Sequence, residues 1–244
     1  MKPGHASDPI TSPSQVDTGP ITSPSQVDSG PITSPSQVDR PRADARPEST
    51  TAPAAGLSRR FDHLFDRYRG TIPIEYLRAL VGRESGTNPN ARTHAARGLM
   101  QIVPVALADY NIRHGTSYQP EHLFDPAINI AIGCELLRVI INSYQRNHPQ
   151  VPNLQVNWDN PRFVELLTFG WNAGFSEVGG VGLVARHLER RGITDVTVDL
   201  VHRNARAAGA SKYLADPIAL RWCKSVALLY TSERARSRHR DASG

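Results

Sequence analysis

The chain has 244 residues and a formal net charge of +5 at neutral pH, a length that suits one or two domains. No run of 18 or more apolar residues occurs, which argues against a membrane span, and no fingerprint of a nucleic-acid-binding module is present. The nine histidines show no metal-ligand spacing, and the two cysteines, Cys134 and Cys223, are expected to be buried apolar side chains, with a disulfide as the alternative.

The first 56 residues are rich in proline, serine and threonine and contain a repeat. The octapeptide Ile-Thr-Ser-Pro-Ser-Gln-Val-Asp begins at Ile10, Ile21 and Ile32, a period of 11 residues. Such a period can indicate a right-handed coiled coil, but each copy contains a proline and no apolar stripe is present. We therefore predict a disordered, partly extended spacer over residues 1–56. The alternative is an arm that binds a partner, such as a component of a secretion machine or of a virion, or that targets the protein for export.

A single, mainly α domain is expected over residues 57–244. Its first helix is predicted within 57–69, where four large apolar side chains fall at helical spacing, a pattern typical of a core-facing stripe: Phe61, Leu64, Phe65 and Tyr68.

The second predicted helix contains the residue on which the functional prediction depends. It begins near Ile72, with Pro73 in the first turn, and Gly86 ends it. Four of its residues share one face: Leu77, Leu80, Val81 and Glu84. A carboxyl group on an apolar face needs a partner or a task, and burial favours the protonated form that a general acid requires. The alternative is that Glu84 is exposed at a fraying helix end.

Later helices are predicted at 104–110, 127–145, 162–169 and from residue 217 to about 233. Asp125 and Asp216 each precede a proline and are predicted N-caps. A glycine-containing turn is predicted at 170–174, and residues 196–198 are at most a short extended piece.

Three sequence blocks occur in an order that is typical of one enzyme family. They are Glu84-Ser85 with Pro89, Ala91, Thr93 and Gly98-Leu99-Met100-Gln101; Leu123-Phe124-Asp125-Pro126 with Asn129-Ile130 and Gly133; and Gly170-Trp171-Asn172-Ala173-Gly174. Together they resemble the soluble, Slt-type lytic transglycosylases, a branch of the lysozyme-like superfamily that cleaves bacterial peptidoglycan. The resemblance covers roughly residues 60–230 and implies a lysozyme-like fold. Two features depart from the family: Trp171 replaces a tyrosine, and the segment between Thr93 and Gly98 is one residue short.

The resemblance implies roles for seven residues. Glu84 would be the single catalytic group, and the substrate-binding residues would be Ser85, Met100, Gln101, Trp171, Asn172 and Tyr213. The Gln101 amide would bind sugar acetamido groups, and Trp171 would offer an aromatic face to a sugar. Tyr213 follows the basic Lys212, as does a late family tyrosine whose hydroxyl approaches the catalytic glutamate; this match is short.

The implied reaction is cleavage of the β-1,4 bond between N-acetylmuramic acid and N-acetylglucosamine with closure of a 1,6-anhydro ring, without water, metal or cofactor. One alternative is a muramidase of the same fold, which hydrolyses with water and needs a second carboxylate. Asp109, Asp125 and Glu165 are available, although Asp125 is a predicted cap. Another alternative is a non-catalytic wall-binding module of a larger assembly.

Charge is unevenly distributed along the chain. Residues 1–56 contain four basic and six acidic residues, so the remainder carries +7, which suits a polyanion such as peptidoglycan with its carboxylate-bearing stem peptides. The basic end of the chain, Arg234, Arg236, Arg238 and Arg240, is predicted to be solvated and frayed. No secretory signal is visible in the first 40 residues. Action on the wall, in the periplasm or outside the cell, would thus require a dedicated secretion machine, a virion or release on lysis.

Overall fold

The computed structural model describes residues 57–241, and the spacer predicted for residues 1–56 lies outside this described part. Eight α-helices follow one another: α1 Asp62–Tyr68, α2 Ile74–Ser85, α3 Pro104–His114, α4 Pro126–Asn147, α5 Pro161–Ala173, α6 Val181–Glu189, α7 Val198–Asn204 and α8 Pro217–Asp241. Short 3-10 turns occur at Pro120–Phe124, Pro152–Leu154 and Lys212–Ala215. Residues 57–241 contain no β-strand, so the prediction of a mainly α fold is confirmed.

Helix α2 has the C-terminal end and the buried face that its sequence predicts, but it begins at Ile74 with Pro73 as its N-cap, and not near Ile72 with Pro73 in the first turn. It starts after Pro73 and ends at Gly86, whose left-handed conformation (φ +60°) closes the last turn. All four residues of the predicted stripe are buried, from Leu77 to Glu84, and Glu84 is only 7% exposed. The alternative of an exposed Glu84 is therefore wrong.

The core forms where α4 and α5 cross, with α1 packed on α4 and α8 packed along both α2 and α5. The four residues expected to face the core from the first helix do so: Phe61 and Phe65 are buried, and Leu64 and Tyr68 are partly buried against the core. Burial of such large apolar side chains stabilises the fold by roughly 2 kcal/mol each.

The two helix starts predicted from Asp-Pro pairs are confirmed. One Asp125 carboxylate oxygen accepts hydrogen bonds from the backbone N–H groups of Ala127 at 2.7 Å and Ile128 at 3.2 Å. Asp216 accepts from the N–H of Ile218 at 2.8 Å. Each cap satisfies donors that the first turn of a helix leaves free.

The prediction of a turn at 170–174 is wrong, because α5 continues through Ala173 and ends at Gly174. Gly170 does not break the helix; it allows a close approach between helices. A Cβ at this position would overlap the Tyr144 hydroxyl of α4, and that hydroxyl donates to the backbone carbonyl of Leu166, at 3.3 Å.

Other elements differ from their predicted extents. Residues 196–198 form no β-strand: Thr197 has an extended backbone and caps α7 by accepting from the N–H of Leu200 at 3.3 Å, and Val198 begins the helix. Helix α8 reaches Asp241, so the basic end is not frayed. Ion pairs explain this extension, since Arg234 and Arg238 both contact Asp159, at 2.8 and 2.7 Å. A basic last turn is also favoured by the helix dipole.

Helix α4 is long and apolar enough to cross a membrane by length and composition alone, but more than half of this stretch is buried inside the protein. Core helices pass the same test. Both cysteines are free and buried. Burial raises the pKa of Cys134 to about 12 and raises that of Cys223 as well, so both thiols stay protonated and unreactive near neutral pH.

Candidate active site

Glu84 lies in the last turn of α2 and is joined to the last turn of α5 by a hydrogen bond. The indole Nε1–H of Trp171 donates to Glu84 Oε1 at 2.9 Å, across 87 positions of sequence. Both side chains are nearly closed off from solvent, with exposed fractions of 7% for Glu84 and 4% for Trp171. In such surroundings a hydrogen bond to a carboxylate is stronger than it would be at the surface.

A second contact between the same two helices sets their spacing. The hydroxyl of Tyr76 on α2 lies 3.0 Å from Thr168 Oγ1 on α5. Thr168 already donates its proton to the carbonyl of Val164 at 2.7 Å, so Tyr76 is the donor. Burial raises the pKa of Tyr76, which keeps this donor protonated. The Glu84–Trp171 pair is therefore supported by a buried polar contact two turns away along α2.

Gln101 stabilises the loop that follows Glu84, residues 91–102, here called the signature loop. Its Nε2 donates to the carbonyls of Gly98 at 2.8 Å and Ala91 at 3.1 Å. Gln101 itself adopts a left-handed backbone conformation (φ +49°). Both amide protons are thus engaged inside the loop, and the predicted contact with a sugar acetamido group stays a prediction.

Asn129 anchors the signature loop to α4. Its Oδ1 accepts from the N–H of Met100 at 2.8 Å, and its Nδ2 donates to the carbonyls of Arg97 and Leu123 at 3.0 and 2.9 Å. Asn129 is fully buried and all these bonds are satisfied within the protein. The sequence marks Asn129 only as part of the second block, and nothing in the pattern assigns it to the first.

Glycines allow this close packing of loop and helix. Gly98 has φ +77°, and a Cβ there would overlap the Leu123 carbonyl and the Asn129 amide. A Cβ on Gly133 of α4 would overlap the Met100 thioether. Met100 is fully buried, so its side chain packs against α4, and its predicted role in substrate binding stays a prediction.

The remaining predicted site residues lie in three places. Ser85 Oγ donates to the Val81 carbonyl of its own helix at 3.2 Å. Asn172 is half-buried beside Trp171 at the end of α5. Tyr213 is half-buried in the turn before α8, with the Lys212 ammonium 5.4 Å from its ring centre. Their roles toward a substrate stay predictions.

Two of the three carboxylates predicted as alternatives for a second catalytic group have structural partners. Asp109 pairs with Arg113 at 2.9 Å, and Asp125 caps α4. Glu165 is half-buried near Lys224 and Asp199 on the side of α5 that faces α7 and α8; burial, with the nearby Asp199 charge, raises its pKa. Among residues 57–241, no group of three or more His, Cys, Asp or Glu side chains could hold a metal ion.

A surface cavity of about 210 Å³ lies away from Glu84, between the loop before α5 and the end of α8. It is lined by Trp158, Asp159, Pro161, Tyr230, Thr231, Arg234, Ala235 and Arg238. None of the predicted site residues lines it, so cavity size alone would not have located the site.

Comparisons with known proteins agree with the motifs. Residues 65–183 match the family model of the transglycosylase SLT domain, a range that includes Glu84, Gln101 and Trp171 but ends before Tyr213. The crystal structure of the 70-kDa soluble lytic transglycosylase from Escherichia coli is similar, with 23% identity over 71% of this chain and a TM-score of 0.48. A complex of a 70-kDa soluble lytic transglycosylase with bulgecin A gives 23% identity over 73% of this chain and a TM-score of 0.49.

The chain spans only about a quarter of the length of these two structures, 24% and 25%. No curated protein matches it.

Proposed function

We propose, from the match of residues 65–183 to the transglycosylase SLT domain, that the protein is a peptidoglycan lytic transglycosylase with Glu84 as its single catalytic group. The observation that supports the proposal best is the buried carboxyl group of Glu84 at the end of α2, held at 2.9 Å by the Trp171 indole. A buried acid with a fixed orientation is suited to proton transfer.

In the proposed reaction, Glu84 acts twice. As an acid it transfers its proton to the glycosidic oxygen, and the bond from that oxygen to C1 of N-acetylmuramic acid breaks with both electrons going to the leaving N-acetylglucosamine. The substrate's own N-acetyl group helps to stabilise the positive charge that develops at C1. The C6 hydroxyl oxygen then bonds to C1 and its proton passes to the Glu84 carboxylate. The products are a free hydroxyl and a 1,6-anhydro sugar, and the acid is regenerated.

The structural partners of Asp109 and Asp125 favour this reaction over hydrolysis. A hydrolase needs a second carboxylate as base or nucleophile, about 5 to 10 Å from the acid. Asp109 and Asp125 have structural partners in an ion pair and a helix cap, and Glu165 lies toward α7 and α8. A reaction with one carboxyl group requires none of them.

The substrate places the site of action at the cell wall, in the periplasm or outside the cell. Peptidoglycan strands are the proposed partner, with the half-buried Ser85, Asn172 and Tyr213, and with Met100 and Gln101, as the proposed substrate-binding set. Residues 1–56 would link the domain to a secretion machine or a virion.

The test is mass spectrometry of the products formed from purified peptidoglycan. We expect 1,6-anhydromuramic acid ends with the wild-type protein and none with Glu84→Gln, which removes the proton and almost no volume. Glu75→Gln, the same substitution at the other end of α2, is the matched control and should retain activity. Reducing ends, heavier by one water, would instead indicate a muramidase. Co-sedimentation with the wall without any product would indicate a binding module.

A further inference from the structure

Trp171 is placed differently from the sugar-stacking residue that the sequence predicts. Only 4% of it is exposed, which leaves too little ring face for a sugar. Its polar atom is directed instead at the catalytic carboxyl group, with Nε1 2.9 Å from Glu84 Oε1. The residue therefore acts on Glu84 and not on an exposed substrate surface.

The chemistry of the indole makes this contact directional. An indole N–H can donate a hydrogen bond but cannot accept one. Glu84 Oε1 must therefore be the acceptor whether or not Glu84 carries a proton. In a protonated carboxyl group the carbonyl-type oxygen is the better acceptor, so the proton belongs on the other oxygen, Oε2.

We propose that Trp171 is a positioning residue that fixes Oε1 of Glu84 as the acceptor and so keeps the transferable proton on Oε2. This inference rests on the proposed function for its relevance to catalysis. The hydrogen bond between Trp171 and Glu84 does not depend on that function. A tyrosine, the usual residue at this position in the family that the motifs resemble, has a hydroxyl that can both donate and accept. It would not impose the same choice of oxygen.

Trp171 serves both tasks that Glu84 performs in the proposed reaction, because it fixes the carboxyl group. With Oε1 held by the indole N–H, Oε2 is the oxygen that gives a proton to the glycosidic oxygen and later takes one from the C6 hydroxyl.

The surroundings hold the indole in place. Trp171 lies in the last turn of α5, and the Tyr76–Thr168 contact fixes the distance between α5 and α2 one turn earlier. The neighbouring Gly170 allows α5 to approach Tyr144 of α4 closely. The N–H is therefore oriented by the core before any substrate binds.

The first test is an NMR titration of the full-length protein, which has only three indole N–H groups, those of Trp158, Trp171 and Trp222. Substitution of each tryptophan by phenylalanine assigns its signal. We expect the Trp171 signal to move with pH in the wild-type protein and to stay constant in Glu84→Gln, while the other two signals behave alike in both proteins. A Trp171 signal that is insensitive both to pH and to Glu84→Gln would overturn the inference.

The second test compares the pH dependence of glycan cleavage in Trp171→Phe and Trp222→Phe. Both substitutions remove an indole from a buried position, 4% and 9% exposed, but only the first removes a donor to Glu84. The loss of this donor removes a hydrogen bond to the reacting carboxyl group, so the pH–rate profile of Trp171→Phe should differ from that of Trp222→Phe. The maximal rate should fall roughly tenfold because the carboxyl group loses its fixed orientation. Profiles that coincide for the two variants would contradict the inference.

The two proposals can fail separately. If the indole signal follows Glu84 but no anhydro product forms, the positioning of Glu84 holds and the proposed function is wrong. If anhydro products form and depend on Glu84 but the indole signal is insensitive, the function holds and the role of Trp171 is wrong.

Discussion

At the scale of single residues, two glycines with similar backbone conformations have different surroundings. Gly98 and Gly115 both lie in the left-handed region, with φ of +77° and +62°. A Cβ on Gly115 would meet nothing within 4 Å, whereas a Cβ on Gly98 would overlap the backbone carbonyl of Leu123 and the Asn129 amide. Position 98 therefore favours glycine for two reasons: its backbone is left-handed, and its surroundings leave no space for a Cβ.

We predict that Gly115→Ala lowers the free energy of unfolding by about 1 to 2 kcal/mol, the cost of a left-handed alanine. Gly98→Ala should lower it by about 3 to 5 kcal/mol, because the loop must also move away from α4. Urea unfolding of the two variants measures the difference. Equal losses would mean that the signature loop can shift without cost.

Glu84 and the residue that contacts it differ in how far sequence could predict them. Glu84 stands out because helical spacing places a carboxyl group on an apolar face, a local property of 12 residues. The direction of the Trp171 indole depends on the packing of α5 against α2, across 87 positions. No local sequence pattern shows this direction. The motif could therefore identify Trp171 as a site residue but could not identify Glu84 as its hydrogen-bond acceptor.

At the scale of elements, a buried histidine joins the end of α4 to α6 and to the loop before α6. His148 has no exposed surface, and its ring nitrogens contact Glu189 at 2.6 Å and Glu177 at 2.9 Å. Arg186 contacts Glu177 in turn at 2.6 Å. Burial alone would lower the pKa of His148, but the hydrogen bonds and charges of the two glutamates outweigh it and raise the pKa above its usual value.

This raised pKa predicts how stability depends on pH. A group whose pKa is higher in the folded protein contributes fully below its unfolded pKa, about 6.5 for histidine, and loses that contribution as pH rises through the folded value. His148→Gln should therefore lower the free energy of unfolding by about 3 kcal/mol at pH 6. The difference from wild type should shrink as the pH rises above neutrality.

Chemical denaturation at pH 6, 7.5 and 9 tests this, with His94→Gln in the exposed part of the signature loop as control. A deficit that is constant over this range would show that His148 is not charged in the folded protein.

Which elements the sequence could predict depends on how local their signals are. Asp125 and Asp216 lie directly before prolines, and both caps form as predicted. Gly170 predicts a turn in the sequence, but a glycine can indicate either a break or a close contact. The contact with Tyr144 decides this case, and it becomes visible only when α4 and α5 are packed together. The length of α8 is a similar case. The ion pairs of Arg234 and Arg238 with Asp159, which extend this helix, join distant parts of the sequence and form only when the protein is folded.

At the scale of the whole molecule, charge separates the first 56 residues from the rest. Residues 57–244 carry +7 and the preceding residues −2. Attraction between exposed charges is screened by salt, with a Debye length of about 10 Å at 0.1 M. Binding to an anionic wall should therefore weaken as salt is added.

We predict that Glu84→Gln protein co-sediments with isolated cell walls several-fold less at about 0.5 M than at about 0.05 M NaCl. Deletion of residues 1–55 should not reduce this binding, since it removes net negative charge, and should leave cleavage of isolated walls largely unchanged. A co-sedimented fraction that does not change with salt concentration would indicate that uncharged contacts with the sugars dominate binding. A large loss on deletion would show that the repeats themselves bind the wall.

The packing of α8 along both α2 and α5 makes the Glu84–Trp171 pair a property of the complete fold. Each member alone lies at the end of a helix of 12 or 13 residues, a length that is only marginally helical in water. A partly folded form that has lost α8 loses the packing that aligns the two side chains. We therefore expect the Glu84–Trp171 contact to form in the same cooperative step as the core, and any activity that depends on this contact to be absent from the unfolded chain.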